Sequence, residues 1–299
     1  MSEPLLRLEG VTRDFPGFRL DRVSFTLEPG YVMGLVGPNG AGKTTTIKLI
    51  LGLLRMREGT ITVFGMDSRK DSLAIKRQVG YLGERVALPE SVTSRWVASF
   101  LSRCFPDWDD SRFEGYLNRF GVPRDKPVRA LSKGNRTKLA LAAALAHRPR
   151  LVILDEPTSG LDPLIRHEVI ESLRDVVAGE DRSVLFSTHI VSDLEAIADF
   201  VTVINDGRVV ASEPRDRLTE RWRRLTFRVE DATGRPDARL LDVRRQGATV
   251  TAVTGEYGVD LLQTLRQVAT GPVEAAAMGL EEVFRYLVGR NRPNGVDDR

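Results

Sequence analysis

The stretch VMGLVGPNGAGKTTTIKLI, residues 32–50, decides the fold class. A short apolar run leads into a glycine-rich turn, and the turn opens a segment with helical spacing. The turn, residues 37–45, fits the phosphate-binding pattern G-x-x-x-x-G-K-[ST] and stands in the strand–turn–helix context that this pattern requires. Glycines let backbone N–H groups point inward around phosphate oxygens because no side chains obstruct them. We therefore expect this phosphate loop to bind a nucleotide rather than to form an ordinary glycine turn.

Each position of the phosphate loop has an expected part in holding the nucleotide. The ammonium of Lys43 should reach the β- and γ-phosphates, and the hydroxyl of Thr44 should hold Mg²⁺. The remaining residues are expected to surround the phosphates: Gly37, Pro38, Asn39, Gly40, Ala41, Gly42 and Thr45. The loop thus predicts a nucleotide site that includes a magnesium ion.

Two neighbouring acids follow a second apolar run, RLVILDEP at residues 150–157. Such a run is typical of a strand buried in a parallel sheet, and ligands of these sheets bind at the carboxyl ends of the strands. We expect Asp155 to complete the Mg²⁺ shell and Glu156 to be the general base that polarises the attacking water. The alternative, a capping or surface acid pair, is disfavoured by the apolar strand that leads into it.

His189 ends a third run of this kind, SVLFSTH at residues 183–189. A histidine at a strand end could hydrogen-bond the γ-phosphate and help to hold the attacking water. By itself it would more often be a capping or half-buried structural residue. Together with the other two motifs it completes a predicted catalytic set of Lys43, Glu156 and His189.

The rest of the chain divides into regions with different hydrophobic patterns. The first ninety residues alternate short β-rich runs with turns, and helical periodicity dominates residues 89–148. After residue 220 the alternation weakens, which indicates a small α+β domain over 221–299 with a disordered tail, RNRPNGVDDR. The expected fold class is α/β: a P-loop NTPase sheet with an N-terminal antiparallel β-subdomain and a helical insert in domain 1–220, followed by the small domain.

Composition excludes several classes of protein. The 299 residues carry a formal net charge of +3, so the overall balance does not indicate a nucleic-acid binder. A single cysteine, Cys104, rules out an internal disulfide framework and a cysteine-based zinc site. The sequence contains neither an apolar run of membrane-spanning length nor an N-terminal signal core. We expect a cytoplasmic chain whose membrane part, where one is needed, comes from another protein.

These motifs, in this order, resemble the ATP-binding subunit of an ABC transporter over about residues 5–220. The resemblance implies ATP and Mg²⁺ as cofactors. It identifies LSKGN, residues 131–135, as the family's signature segment, usually LSGGQ. Ser132 is a good N-cap, and a helix start attracts anions. In this family Ser132 and Gly134 would contact the γ-phosphate of ATP held by the phosphate loop of a second subunit.

Two further assignments follow from the resemblance alone. The sequence SGLD, residues 159–162, is similar to the family's D-loop, and its Asp162 would touch the opposite nucleotide site. Phe15 occupies the place of an aromatic residue that stacks on adenine, since its ring offers the π-face that stacking needs. The alternative for Phe15 is a core aromatic residue.

Two positions depart from the family pattern. Glu84 replaces a glutamine that links Mg²⁺ and the attacking water to the membrane partner. A carboxylate could ligate Mg²⁺ but would be repelled by phosphate without the metal, so we expect hydrolysis that depends more strongly on Mg²⁺. Lys133 replaces a signature glycine, and it either adds a cation to the shared ATP site or is a solvated side chain.

The resemblance implies an ATPase that powers a separate transmembrane permease from the cytoplasmic face of the cell membrane. The helical insert and the Glu84 loop would contact the permease. Both departures, together with the upstream segment CFPDWDDSRFEGYLNRFGV, resemble a subset of bacterial ABC ATPases that pair with separate permeases of the ABC-2 type and mostly serve export. The resemblance also implies a second ATPase subunit, by default another copy of this chain, and it implies no nucleic-acid partner.

The alternative function is that of a soluble ABC-type ATPase acting on DNA or the ribosome. Relatives of that kind carry long coiled coils or two such domains in one chain. A P-loop kinase or GTPase would lack the signature.

Overall fold

The computed structural model describes residues 3–178, 182–230 and 237–289, and the chain forms two compact units, Met1–Ser212 and Glu213–Arg299. The sequence places the boundary near residue 220. The tail expected to be disordered, residues 290–299, lies outside the described residues. Within the described ranges, none of the helices has the length and apolar character of a membrane span.

The first unit combines parallel and antiparallel strands with flanking helices. Its strands are β1 (Leu6–Phe15), β2 (Phe18–Leu27), β3 (Val32–Val36), β4 (Glu58–Val63), β5 (Met66–Asp67), β6 (Val79–Leu82), β7 (Leu151–Asp155), β8 (Ser183–Thr188), β9 (Phe200–Asn205) and β10 (Arg208–Pro214). Its helices are α1 (Lys43–Ile50), α2 (Ser72–Arg77), α3 (Ser94–Leu101), α4 (Asp110–Arg119), α5 (Lys133–Leu145), α6 (Pro163–Ala178) and α7 (Val191–Ile197). This is the α/β class that the sequence predicts.

The central sheet has the strand order β10-β9-β3-β8-β7-β6. Strand β3 pairs in parallel with β8 and β9, and β7 pairs in parallel with β8 and β6. Every residue of β3, β7 and β8 is buried, as the apolar runs within them favour for strands covered on both faces. The carboxyl ends of these three strands therefore meet at one edge, where the phosphate loop, the two acids and His189 follow.

The N-terminal sheet is antiparallel, with the order β2-β1-β4-β5. Leu6 pairs with Leu27 on one side and with Val63 on the other, and these apolar side chains are buried. They belong to the same core cluster as Ile47 and Leu49 of α1. The hydrophobic side of this sheet thus fixes the helix that follows the phosphate loop.

The helical insert lies between β6 and β7 and contains α3, α4 and α5. The sequence allows Asp109 or Asp110 as the cap of α4. The structure selects Asp109, whose carboxylate accepts from the backbone N–H of Arg112 at 3.1 Å. Ser132 caps α5, as predicted, by accepting from the N–H of Asn135 at 3.2 Å. The signature segment therefore ends in a well-formed helix start.

The second unit has the α+β character expected for the C-terminal part. Its elements are α8 (Arg215–Arg221), β11 (Arg223–Arg228), β12 (Leu240–Gln246), β13 (Thr249–Thr254), α9 (Val259–Val268), β14 (Glu274–Ala277) and α10 (Leu280–Gly289). The strands form an antiparallel sheet in the order β12-β13-β11-β14. Leu225, Phe227 and Val250 of the sheet pack with Leu261 and Leu265 of α9 into one core.

Candidate nucleotide-binding site

The phosphate loop is held tightly between neighbouring elements. A side chain at Gly37 would place its Cβ 2.2 Å from the backbone oxygen of Ile204, so only glycine fits there. Gly42 has a φ of 111°, a conformation that other residues rarely adopt, and it precedes the first residue of α1. The backbone N–H of Gly207, in the β9–β10 turn, donates to Ala41 O at 3.0 Å. These contacts hold the loop in one shape, in which the glycines leave room for an anion beside the backbone.

Lys43 lies at the centre of this loop with its ammonium almost completely buried. Its Nζ donates to Gly37 O at 2.8 Å and to Pro38 O at 3.1 Å, and it lies 3.1 Å from Oε1 of Glu156. A buried cation of this kind needs such partners, because removal from water is costly for an unpaired charge. The structure thus brings the predicted phosphate-binding lysine and the predicted base into direct contact.

Asp155, the predicted magnesium ligand, is the last residue of β7. Its Oδ1 accepts from Thr44 Oγ1 at 3.1 Å and from Ser187 Oγ at 2.6 Å. Its Oδ2 is buried and has no hydrogen-bond partner among the described residues. Burial is the main cause that raises the pKa of this carboxyl, and the negative charges of Glu156 and Glu84 add to it.

An unpartnered carboxylate oxygen beside a threonine hydroxyl fits the oxygen ligands that Mg²⁺ prefers. The described residues contain no cluster of three or more His, Cys, Asp or Glu side chains set to hold a metal. The arrangement therefore suits an ion that takes few protein ligands and completes its shell with water and phosphate oxygens, as Mg²⁺ does.

Glu156 is fixed by its backbone as well as by its side chain. Its φ of 52° lies in the left-handed region, and its N–H donates to Ser187 Oγ at 3.1 Å and points toward Ser187 O, also at 3.1 Å. The carboxylate lies between Lys43 and His189, whose Nδ1 is 2.7 Å from Oε2. A carboxylate only accepts hydrogen bonds, so Nδ1 carries a hydrogen and donates it to Glu156.

The signature segment and the D-loop lie side by side within the chain. Ser132 and Asp162 are exposed, and the hydrogen bonds described for them stay within the first turns of α5 and α6. Gly134 packs against Ile165, where a Cβ would lie 2.2 Å from Cγ2 of that side chain. The predicted contacts of Ser132, Gly134 and Asp162 with a second subunit stay predictions.

Phe15 is half-buried at the end of β1. Its ring centroid lies 6.2 Å from that of Phe18, and the guanidinium of Arg13 lies 5.2 Å from its centroid. Phe18 in turn approaches Gly42, where a Cβ would lie 3.1 Å from the tip of its ring. Phe15 therefore belongs to an aromatic pair next to the phosphate loop, and its stacking on adenine remains a prediction.

Glu84 lies on the wall of a cavity of about 830 Å³ in the first unit. Thr44 and Asp155 line the same cavity, while the Glu84 side chain is exposed. Apolar side chains from α1, β6, α3 and α5 form most of the remaining wall, including Leu51, Val79, Leu82, Leu101, Ala140 and Ala143. The role of Glu84 as a magnesium ligand stays a prediction.

Three residues of this region escaped the sequence-based assignment. Ser187 bridges Asp155 and the backbone of Glu156, Phe18 contacts the phosphate loop, and Asp193 accepts from Thr158 Oγ1 at 2.7 Å. Ser187 carried the clearest signal, because it is a polar residue at the end of an otherwise apolar run. Phe18 and Asp193 gave no local signal that distinguishes them from ordinary strand and helix residues.

Comparison with known proteins agrees with this geometry. Residues 20–159 match the model of the ABC transporter family. An uncharacterised ABC transporter ATP-binding protein of Bacillus subtilis, YdbJ, is 30% identical over 97% of this chain and 90% of its own length. The daunorubicin resistance ATP-binding protein DrrA3 of Streptomyces coeruleorubidus is 32% identical over 96% of this chain and 89% of its own.

A solved structure of the ATP-binding subunit of an ABC transporter covers 72% of this chain and 92% of its own, with a TM-score of 0.64 and 29% identity. The relatives extend over both units of the chain, and their shared function is to bind ATP for a transporter. The chain therefore belongs to the ATP-binding proteins of ABC transporters, ATPases that power the permease with which they work.

Proposed function

We propose that this chain hydrolyses Mg²⁺–ATP as a dimer and drives export through a separate membrane permease. The observation that carries the hydrolytic part is the contact of Glu156 with both Lys43 and His189, beside the open oxygen of Asp155. One nucleotide at this sheet edge would meet a cation, a metal site and a base. The family resemblance supports the permease, and the daunorubicin resistance relative supports export.

The chain's own residues divide the work of hydrolysis. Lys43 binds the phosphates, and Thr44 and Asp155 would hold Mg²⁺, which neutralises phosphate charge when bound. Glu156 accepts the proton of the attacking water. His189 orients the Glu156 carboxylate through Nδ1. In the neutral ring Nε2 would accept from the attacking water, whereas a hydrogen bond to the γ-phosphate requires a hydrogen on Nε2. The left-handed backbone at Glu156, held by Ser187, keeps the base in place.

The second subunit is supported by the exposed start of α5. Ser132 and Gly134 leave backbone N–H groups at a helix start, and such a site favours an anion. The γ-phosphate held by another copy would supply that anion, so that ATP lies between two chains and closes the dimer. A homodimer would contain two identical sites.

The permease contact is supported by the cavity beside Glu84. The wall is mainly apolar, and Lys48, Lys76 and Arg85 add positive charge. An amphipathic helix from the cytoplasmic side of a permease would fit such a groove. The chain would then be peripheral, held at the cytoplasmic face of the membrane by its partner.

The first experiment uses the Glu156→Gln variant, which removes the base and should trap ATP in the closed dimer. We would purify it from solubilised native membranes with ATP and Mg²⁺ and identify what accompanies it. A polytopic membrane protein in stoichiometric yield supports the proposal. Ribosomes, DNA or soluble proteins alone would overturn the permease and favour a soluble ATPase.

A matched pair of variants tests the groove. Leu53 lines the cavity and is 55% exposed, whereas Leu73 is 67% exposed and lies outside the cavity wall. Leu53→Arg should reduce recovery of the permease while leaving basal ATP hydrolysis unchanged. Leu73→Arg should recover it in full. Equal recovery with both variants would place the permease contact elsewhere.

A further inference from the structure

Lys133, which departs from the family's usual glycine, makes a specific contact within its own chain. Its Nζ donates to the carbonyl oxygen of Ser159 in the D-loop at 2.6 Å. Gly160 has a φ of 63°, and a Cβ there would lie 2.5 Å from the same Nζ. The absence of a side chain at Gly160 therefore permits the close approach. Neither expectation for this residue, a cation at the shared site or a solvated side chain, included this contact.

Two further contacts tie the start of α5 to the start of α6. Gly134 packs directly against Ile165. The ammonium of Lys138, whose side chain is only 10% exposed, lies 2.7 Å from Glu168 Oε2. The bond from Lys133 to Ser159 joins the signature segment to the D-loop, and the other two contacts join the first turns of α5 to those of α6. A displacement of one helix start is thus transmitted to the other.

The D-loop is in turn bonded to the segment that carries the base. The backbone N–H of Ser159 donates to Glu156 O at 3.1 Å. On the other side, Asp193 accepts from Thr158 Oγ1 at 2.7 Å and from Arg166 Nε at 2.6 Å. The chain from Glu156 to α6 is short and held at both ends. A shift of Ser159 is therefore passed to Glu156 rather than absorbed by a loose loop.

We propose that Lys133 is a positioning residue that couples the two ATP sites of the dimer. The start of α5 would bind ATP held by the partner, while Glu156 acts on ATP held by the same chain. The bond from Lys133 to Ser159 connects these two places, so closure at one site aligns the base of the other. This inference rests on the proposed dimer.

The test compares Lys133→Ala with Lys133→Arg in the full chain. The hydrogen-bonding cation is lost in the first variant and kept in the second. We expect the Hill coefficient for ATP hydrolysis to fall toward about 1 in Lys133→Ala, and the half-saturating ATP concentration to rise about 5-fold or more. ATP affinity of the dilute single subunit should stay unchanged. Lys133→Arg should restore the cooperative curve.

Two other variants separate coupling from general damage. Gly160→Ala displaces the Lys133 ammonium without changing Lys133 and should reproduce the loss of cooperativity. Because alanine also strains the backbone at a φ of 63°, this loss supports the coupling only together with the loss in Lys133→Ala. Lys126→Ala removes another exposed lysine of the helical insert and should match the wild type.

The outcomes that overturn the coupling differ from those that overturn the proposed function. A wild-type Hill coefficient retained in Lys133→Ala overturns the coupling, and so does a loss that Lys133→Arg fails to restore. A wild-type chain that hydrolyses ATP without cooperativity also overturns the coupling, while the proposed hydrolysis stands. Failure of the wild type to hydrolyse ATP, or of Glu156→Gln to dimerise with ATP, overturns the proposed function itself.

Discussion

Charged residues serve different purposes in the nucleotide site and in the second unit. At the site the side chains of Lys43 and Glu156 are 6% and 8% exposed and contact each other. Lys43 also donates to backbone oxygens, and the Glu156 carboxylate also contacts His189. In the second unit the pair of Arg244 and Asp242 is 77% and 37% exposed. Buried charge costs stability that neighbours offset only in part, whereas surface pairs have small effects. The site therefore has a chemical reason to keep its charges, and the second unit uses them at its surface.

The largest expected effect is a loss of ATP hydrolysis that occurs when a carboxylate is removed from the nucleotide site but not when one is removed from the second unit. Glu156→Gln should lower the ATP hydrolysis rate by about 10²- to 10⁴-fold, because the general base is lost while the shape is kept. Asp242→Asn, the same chemical change in the second unit, should leave the rate unchanged. Steady-state phosphate release measures both. Equal losses would mean that the second unit contributes directly to hydrolysis.

The second unit should instead be sensitive to loss of apolar volume. Trp222 is fully buried, and its ring packs 5.9 Å from that of Tyr286. Trp222→Ala should destabilise this unit by about 3–5 kcal/mol, as expected for a large core truncation. Hydrogen exchange of the amides in β11 and β13 reports the loss. Val259→Ala, at a position that is 70% exposed, is the control and should leave their protection intact.

The buried carboxylate of Asp155, which is proposed to bind a metal ion, should lower the stability of the protein without nucleotide. Burial raises the pKa of Asp155 above its ordinary value of 3.8, so the folded protein disfavours the ionised form. Its contribution to stability consequently decreases as pH rises above 3.8. Asp155→Asn should raise the melting temperature at neutral pH without nucleotide and abolish Mg²⁺-dependent hydrolysis. A lower melting temperature would show that the hydrogen bonds from Thr44 and Ser187 outweigh the burial of charge.

His147 gives the first unit a dependence on pH that lies away from the catalytic groups. The imidazole is 3% exposed, stacks 4.1 Å from the Phe105 ring, and bonds Val79 O through Nε2 at 3.2 Å. Burial lowers the pKa of His147 below its ordinary 6.5. As pH falls below 6.5 the unfolded chain takes up a proton here that the folded chain does not, so stability falls.

The denaturant midpoint of the first unit should therefore decrease between pH 6.5 and 5, and His147→Gln should weaken that decrease. The control is His167→Gln on α6, where the side chain is exposed. A pH profile that is identical in the two variants would assign the dependence to other groups.

The smallest effect is expected for a half-buried ion pair in a turn of the second unit. Arg239 lowers the pKa of Asp237 to about 2 through side-chain and backbone hydrogen bonds. This contribution to stability is complete above the ordinary value of 3.8 and is lost as pH falls toward 2. Asp237→Asn should change the melting temperature less than Trp222→Ala does. A comparable change would show that this turn contributes more to the stability of the unit than a single ion pair accounts for.

The sequence alone determined the features that depend on neighbouring residues. The phosphate loop, the apolar strands before Asp155 and His189, and the caps formed by Asp109 and Ser132 all lie within short patterns. Propensity, periodicity and capping act over a few residues, so these patterns can be interpreted without knowing the fold. The alternation of short β-rich runs and turns in the first ninety residues was predictable for the same reason, and so was the helical insert.

Only the tertiary structure decided which distant residues meet. Ser187 joins Asp155 because β7 and β8 are neighbours in register, and Lys133 meets Ser159 because α5 and α6 begin side by side. Such contacts depend on strand order and helix packing, which are set by the burial of the whole apolar core. A polar residue at a strand end, such as Ser187, signals that it has a partner but not which residue that partner is. The chemistry of the site could therefore be predicted from local motifs, whereas the connection between its parts could be known only from the fold.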